Sequence, residues 1–189
     1  MESLLVAAII IGVINLYRYW KQNQDTEDVV EVQEVTPSAD EGTPSATRDL
    51  VLSTLDKMRI EYSEEDELRI RLTFQGETFM IDAHNDCLFI NVYDPWWFDL
   101  PMHGDIEDFA RMQKAVNLAN CTGTCTVLYT YNEEDGLIGV HSRKNIIFVP
   151  QITELDKYLA SVFDAFFKTQ RLVLAEMDKL KNQEVVNQR

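Results

Sequence analysis

The chain has 189 residues, of which 46% are hydrophobic, and its 32 acidic and 17 basic residues give a formal net charge of −15. This length and apolar fraction allow one domain of ordinary size with appendages. The acidic balance argues against nucleic acid as a partner and against a basic patch that docks on anionic lipid, because both need clustered Lys and Arg. The three cysteines, an odd number, are predicted to be free thiols in a reducing compartment.

The first twenty residues predict a membrane anchor. Residues 4–14 are an unbroken apolar run, and a helix from Ser3 to Trp20 would be about 27 Å long, close to the thickness of a bilayer core. A cleaved signal peptide is the alternative, but no basic segment precedes the run and no small-residue cleavage site follows it. Arg18 and Lys21 follow the run. The positive-inside rule therefore predicts a single-pass inner-membrane protein whose folded domain lies in the cytoplasm.

Residues 21–46 predict an acidic, disordered linker. Lys21 is the only basic residue among seven acidic ones, and Pro37, Gly42 and Pro44 interrupt the segment. Such a composition does not bury enough apolar surface to fold alone. A short strand over residues 29–35, added to a sheet edge, remains an alternative because four valines recur there.

The folded domain is predicted from Thr47 to Arg189 and opens with a helix and an antiparallel meander. Thr47 is a plausible N-cap, and apolar residues at helical spacing predict a helix over residues 48–59. Apolar and polar residues then alternate, which predicts strands over 68–74, 78–83 and 87–93. Turns are predicted at Gln75–Glu77 and His84–Asp86.

The second half of the domain is predicted to contain two helices around a hairpin. Pro95 and Pro101 predict an irregular segment through Met102. Asp105 is the predicted cap of a helix over 106–120. Strands are predicted over 124–131 and 137–142, joined through Asp135-Gly136, with a bulge or break at 143–145 before residues 146–149. Thr153 is the predicted cap of a closing helix that extends to about Lys181.

The order helix, three strands, helix, two strands, helix indicates an α+β domain whose antiparallel sheet is packed by helices. This order, the VNLAN stretch at Val116–Asn120 and the closing helix resemble the YbjN family, which shares a fold with type III secretion chaperones. The resemblance covers about residues 48–167. It implies a non-enzymatic, protein-binding module, and it transfers no catalytic, metal or cofactor residue.

No motif in the chain favours catalysis. Cys121 and Cys125 are four residues apart without a second pair, which favours free thiols over a zinc site. The acidic groups at 64–67 and 133–135 lack the alternating oxygen ligands of a calcium loop. We therefore expect a protein that is not an enzyme and that has no cofactor or metal site.

Two apolar segments are candidate partner surfaces. The first comprises Trp96, Trp97, Phe98, Leu100 and Met102, since Trp and Phe dominate interface hot spots. The alternative is that these side chains cap the open end of the sheet.

The second candidate surface is a narrow stripe on the closing helix, which comprises Val173, Leu174, Met177 and Leu180. This spacing suits a helix seam. About 29 residues of helix exceed an eight-residue strand, so this overhang is predicted to pair with another protein, to pair with a second copy in a weak homodimer, or to fold back on the anchor-proximal side. A solvated tail is the alternative.

Two functions follow from these patterns. The first is a membrane-tethered adaptor or regulator that binds an unidentified protein. The second is a small-ligand or lipid-binding domain, with the Trp96–Phe98 segment at the mouth of a pocket.

Overall fold

The computed structural model describes residues 46–187, which belong to one compact unit. These residues form three helices and six strands. The helices are α1, Thr47–Met58; α2, Ile106–Thr122; and α3, Leu155–Asn187. The strands are β1, Tyr62–Glu64; β2, Arg69–Phe74; β3, Glu77–Asp82; β4, Phe89–Pro101; β5, Thr126–Asn132; and β6, Leu137–Ile147.

The strands form one antiparallel sheet in the order β1-β2-β3-β4-β6-β5. This confirms the predicted α+β class with an antiparallel sheet. Residues 62–64 form a further strand, which was not predicted, and pair with β2. This strand has only three residues, two of them exposed and polar, so it is too short to show an alternation of apolar and polar side chains. Its pairing with β2 alone defines it as a strand.

Local sequence accounts for the turns and for the start of α2. Gln75 and Gly76 both have positive φ, at 52° and 89°, as a two-residue hairpin turn requires. The side chain of Asp105 accepts a hydrogen bond from the backbone N–H of Glu107 and caps α2 as predicted. Thr47 is instead the first residue of α1, and its hydroxyl donates to the carbonyl of Cys87.

The predicted irregular segment after Asp94 is part of β4. This strand has 13 residues and ends at Pro101. Its pairing with β6 shifts between Asp94, opposite Ser142, and Phe98, opposite Val140. Three residues of β4 therefore lie opposite one residue of β6, which forms a β-bulge. Pro95 has no backbone N–H, but at this position it removes no hydrogen bond between the two strands. We refer to residues 95–97 as the bulge.

The predicted break at 143–145 is also wrong, since β6 continues without interruption from Leu137 to Ile147. Arg143 and Asn145 are exposed and lie on the same face of the sheet, whereas Ser142 and Ile146 are buried. Polar residues at alternate positions fit a strand with one solvated face.

Helix α3 begins at Leu155, so Glu154 and not the predicted Thr153 precedes it, and it has 33 residues. It is about 50 Å long, and β4 is about 43 Å long. The proline segment thus makes β4 longer than the eight-residue strand with which the helix was compared. Residues 181–186 at the end of α3 are nonetheless mostly exposed, so the pairing of this overhang with another protein or a second copy stays a prediction.

Helix α3 packs against two separate core clusters. The first contains Leu55 of α1, Phe79 of β3, and Phe163 and Phe166 of α3, all fully buried. The second contains Met112 and Val116 of α2 with Val140 of β6 and Val173 of α3. Helix α1 thus covers one half of the sheet and α2 the other, and α3 contributes to both halves.

None of the helices between residues 46 and 187 is long and apolar enough to span a membrane. The predicted anchor over residues 1–20 lies outside the described residues, as does the predicted linker over residues 21–46 except for its last residue.

Candidate functional site

Within the described part of the chain, the helices cover one face of the sheet and leave the other open. Ile70, Phe79, Val92 and Val140 point to the covered face and are fully buried against the helices. Because side chains alternate along a strand, their neighbours point to the opposite face. That face carries half-buried and exposed residues, and we refer to it as the open face.

A groove of about 390 Å³ crosses the open face. Its apolar lining comes from Met80 of β3, Tyr93 and Pro95 of β4, and Leu128 of β5. Its remaining lining residues are Arg69, Asp94, Thr130, His141, Ser142 and Arg143. Five strands thus contribute, and their adjacency depends on the sheet order.

The bulge places Trp96 on the open face beside this groove. Trp96 has a positive φ of 58°, which is rare for a bulky residue. Its backbone N–H donates to Nδ1 of His141 at 2.9 Å, and the two rings pack edge to face at 5.2 Å. A Cβ on Gly139 would lie 2.7 Å from the Trp96 ring, so only glycine lets this ring lie against β6.

The hydrogen bond from Trp96 fixes the tautomer of His141. Because Nδ1 accepts a hydrogen bond, the ring proton of the neutral imidazole lies on Nε2. Nε2 therefore donates to Oγ1 of Thr130, at 2.7 Å. Burial lowers the pKa of His141, which favours this neutral form. The exposed hydroxyl of Thr130 can then donate its own hydrogen to a ligand.

The groove carries two arginines, of which Arg143 has no acidic partner among the described residues. The guanidinium of Arg69 makes two hydrogen bonds to Asp82, at 2.7 and 2.9 Å, and lies 6.0 Å from the ring centre of Tyr93. Arg143 is exposed and forms no ion pair with any residue between 46 and 187. An apolar surface bordered by arginine and hydroxyl donors suits an apolar group that carries a negative charge.

Beneath the groove, buried polar side chains join the sheet to α3. Asp94 is fully buried, and its Oδ2 accepts a hydrogen bond from Nε2 of Gln170 at 2.8 Å. Its Oδ1 has no partner, and burial raises the pKa of Asp94 to about 7. Ser142, opposite Asp94 in the ladder, accepts a hydrogen bond from Nε1 of Trp97 at 3.0 Å. The bulge is thereby held from both faces of the sheet.

The structure separates the residues of the first predicted partner surface. Trp96 is 37% exposed on the open face. The other four are half-buried and pack against the second core cluster: Trp97, Phe98, Leu100 and Met102. Their role in partner binding stays a prediction, and Trp96 is the residue that a partner reaches most directly.

The second predicted partner surface lies where α3 packs against α2. Val173 is fully buried, and Met177 contacts the same cluster. Leu174 is 39% exposed, and Leu180 is half-buried. A seam with another chain stays a prediction, and it rests mainly on Leu174 and Leu180, because the other two already contact this domain.

The remaining candidate ligands are scattered. Cys125 is buried, and burial raises the pKa of its thiol. Cys121 is exposed and Cys87 is half-buried. Within residues 46–187, no group of three or more His, Cys, Asp or Glu side chains could hold a metal ion. His141 lies in the interior of β6.

Comparisons with known proteins identify similar structures only. No family model matches the chain, and no curated protein does. An uncharacterized protein from Methanothermobacter thermautotrophicus is similar, with 12% sequence identity, a TM-score of 0.49, and coverage of 72% of this chain and 98% of that chain. YbjN from E. coli, described as a candidate transcription regulator, is similar with 12% identity, a TM-score of 0.44, and coverage of 72% and 93%. At these TM-scores neither likeness carries an argument about function.

Proposed function

We propose that this protein is a non-enzymatic, protein-binding module that receives its partner on the open face beside Trp96. The observation that supports the proposal is the position of Trp96. A bulky side chain in a strained backbone conformation stands on the rim of a groove, held by His141 and accommodated by Gly139. Backbone strain of this kind clusters at functional sites, and Trp is enriched among interface hot spots.

The test compares proteins that co-purify from solubilised native membranes with the wild-type chain and with Trp96→Ala. Leu88→Ala is the matched control, because Leu88 is 56% exposed and lies just before β4, at the end opposite Trp96. A partner that is lost with Trp96→Ala and retained with Leu88→Ala supports the proposal. Equal recovery with both variants, while both keep the wild-type melting temperature, contradicts it.

A second candidate function is the binding of a small amphipathic anion or lipid in the same groove. The exposed guanidinium of Arg143 and the volume of about 390 Å³ favour it, since small-molecule sites are typically a few hundred Å³. The overall acidity of the chain argues against an anion in general, but Arg143 offers this groove a guanidinium without an acidic partner among the described residues. Mass spectrometry of small molecules released from wild-type protein and from Arg143→Gln discriminates this function from protein binding.

We also propose that residues 1–20 tether the module to the inner membrane, with the folded domain in the cytoplasm. The support is the sequence pattern of an apolar run followed by Arg18 and Lys21. Reporter fusions after Arg189 test the orientation. Strong activity of a periplasmic reporter contradicts it, and a mature protein that begins after Trp20 contradicts the tether.

A further inference from the structure

Strand β5 is an open edge of the sheet. Within residues 46–187 it lies at the end of the strand order and pairs only with β6. The opposite edge, β1, has three residues and includes the exposed Glu64. Natural proteins protect edges with short strands, charges or prolines. β5 has none of these protections, because its seven residues, TVLYTYN, contain neither a charge nor a proline.

Among the residues that the structure describes, side chains cover only the beginning of this edge. The side chain of Asn120 donates to the carbonyl of Val127 at 2.9 Å and accepts from its N–H at 2.7 Å. The backbone groups of Val127 therefore point away from β6. Because backbone direction alternates along a strand, the N–H and carbonyl groups of Tyr129 and Tyr131 point the same way. They form no hydrogen bond with another described residue.

We propose that two copies of this chain pair antiparallel through the free edges of their β5 strands. Only residues whose backbone groups point outward can form the hydrogen-bonded pairs. The register that uses every free group pairs Tyr129 of each copy with Tyr131 of the other, and it gives four hydrogen bonds around a two-fold axis at Thr130. It also leaves the Asn120 clamp on Val127 intact.

Charge favours a second copy as the occupant of this edge. The acidic turn at 133–135 follows β5, and Lys144 lies at the other end, where its Nζ donates to the carbonyl of Thr124 at 2.8 Å. Lys144 forms no ion pair within residues 46–187. Antiparallel pairing brings the turn of each copy toward Lys144 of the other. It also covers the ring of Tyr131, which is 57% exposed.

The pairing is weak and concentration-dependent, because two short edge segments bury far less surface than a stable dimer needs. It is independent of the proposed partner site beside Trp96 and of the predicted seam on α3. The open face with its groove remains free in such a dimer, since strands join edge to edge.

Disulfide trapping in the full chain tests the register. In a background with the exposed Cys121 replaced by Ser, the variant Thr130→Cys places the new thiols opposite each other across the two-fold axis. We expect several-fold more covalent dimer than in the background after mild oxidation. Leu128→Cys and Asn132→Cys are matched controls on the same face of β5. Each should remain monomeric alone, whereas a mixture of the two should cross-link, because the register pairs residue 128 with residue 132.

Two outcomes contradict the proposal: Thr130→Cys dimerises no more than the background, or the two control variants cross-link alone as readily as Thr130→Cys. A measurement without cysteines complements the trapping. Tyr131→Pro removes an N–H that faces away from β6, so the sheet keeps its ladder. Sedimentation of the full chain should show the dimer fraction falling while the melting transition persists. A dimer fraction unchanged by this substitution contradicts pairing through this edge.

Discussion

The buried carboxyl group of Asp94 predicts that stability falls as pH rises from about 4 to about 7. Burial raises the pKa of Asp94 from 3.8 to about 7 in the folded chain, so the folded state holds a proton that the unfolded state releases. The contribution of the neutral carboxyl is therefore complete below the unfolded pKa and is lost as pH passes through the folded pKa. A difference of about three pKa units corresponds to about 4 kcal/mol.

Asp94→Asn isolates this contribution. The amide keeps the shape of the neutral carboxyl and an oxygen that accepts from Gln170, but it does not titrate. Urea unfolding of both proteins at about pH 4.5 and about pH 8 gives, at each pH, the difference in the free energy of unfolding between wild type and variant. We expect the wild type to lose about 3 kcal/mol relative to the variant between these two values of pH, because the unfolded carboxyl is already largely ionised at the lower one.

The wild type is compared with the variant at each pH because other carboxyl groups have lowered pKa values, and their contributions to stability change with pH in the opposite direction. The pKa values of Asp66 and Asp108 are lowered, by backbone hydrogen bonds and by Arg111 respectively, and their contributions cancel between wild type and variant. Asp99→Asn, at an exposed position of the same strand, is the control. A wild-type-minus-Asp94→Asn difference that does not change with pH would refute the reasoning.

Three further substitutions test the packing. Gly139→Ala places a Cβ against the ring of Trp96 and should cost about 1–3 kcal/mol, with a changed near-ultraviolet circular dichroism spectrum; an unchanged spectrum and stability would contradict the ring position. Val173→Asp buries a charge and should abolish cooperative unfolding, whereas Leu174→Asp, at an exposed neighbour, should change the melting temperature little; equal effects would contradict the packing of α3. Asn120→Ala removes both hydrogen bonds to the edge strand and should cost about 1–3 kcal/mol in urea unfolding, and a neutral result would argue against the clamp.

The sequence predicts those elements whose pattern is local. The meander of β2, β3 and the first part of β4 follows from strict alternation, and the Asp105 cap marks the start of α2. The remainder of β4 could not be predicted, because a proline normally ends a regular strand. Here the bulge interrupts the hydrogen bonds between β4 and β6, and a proline is tolerated at such an interruption. The sheet then continues on the far side, where Phe98 pairs with Val140.

The candidate site was even less accessible to sequence reasoning. The bulge shifts the register, so Trp96 lies on the open face while Trp97 points to the covered one. The alternation of side chains along a strand predicts which face of the sheet each residue occupies only where no bulge interrupts the strand pairing. The arginines of the groove belong to β2 and β6, which are 74 residues apart from Arg69 to Arg143 in the chain. Only the strand order brings them to one groove.

The position of α3 in both core clusters has a consequence for synthesis of the protein. The helix is the last described element, and it contributes Phe163 and Phe166 to the first cluster and Val173 to the second. A nascent chain that ends before residue 155 therefore leaves both clusters incomplete, and Phe79 loses its ring contacts with Phe163 and Phe166. Neither half can bury its core early, so chains released prematurely should be substrates for chaperones and proteases rather than partly active fragments.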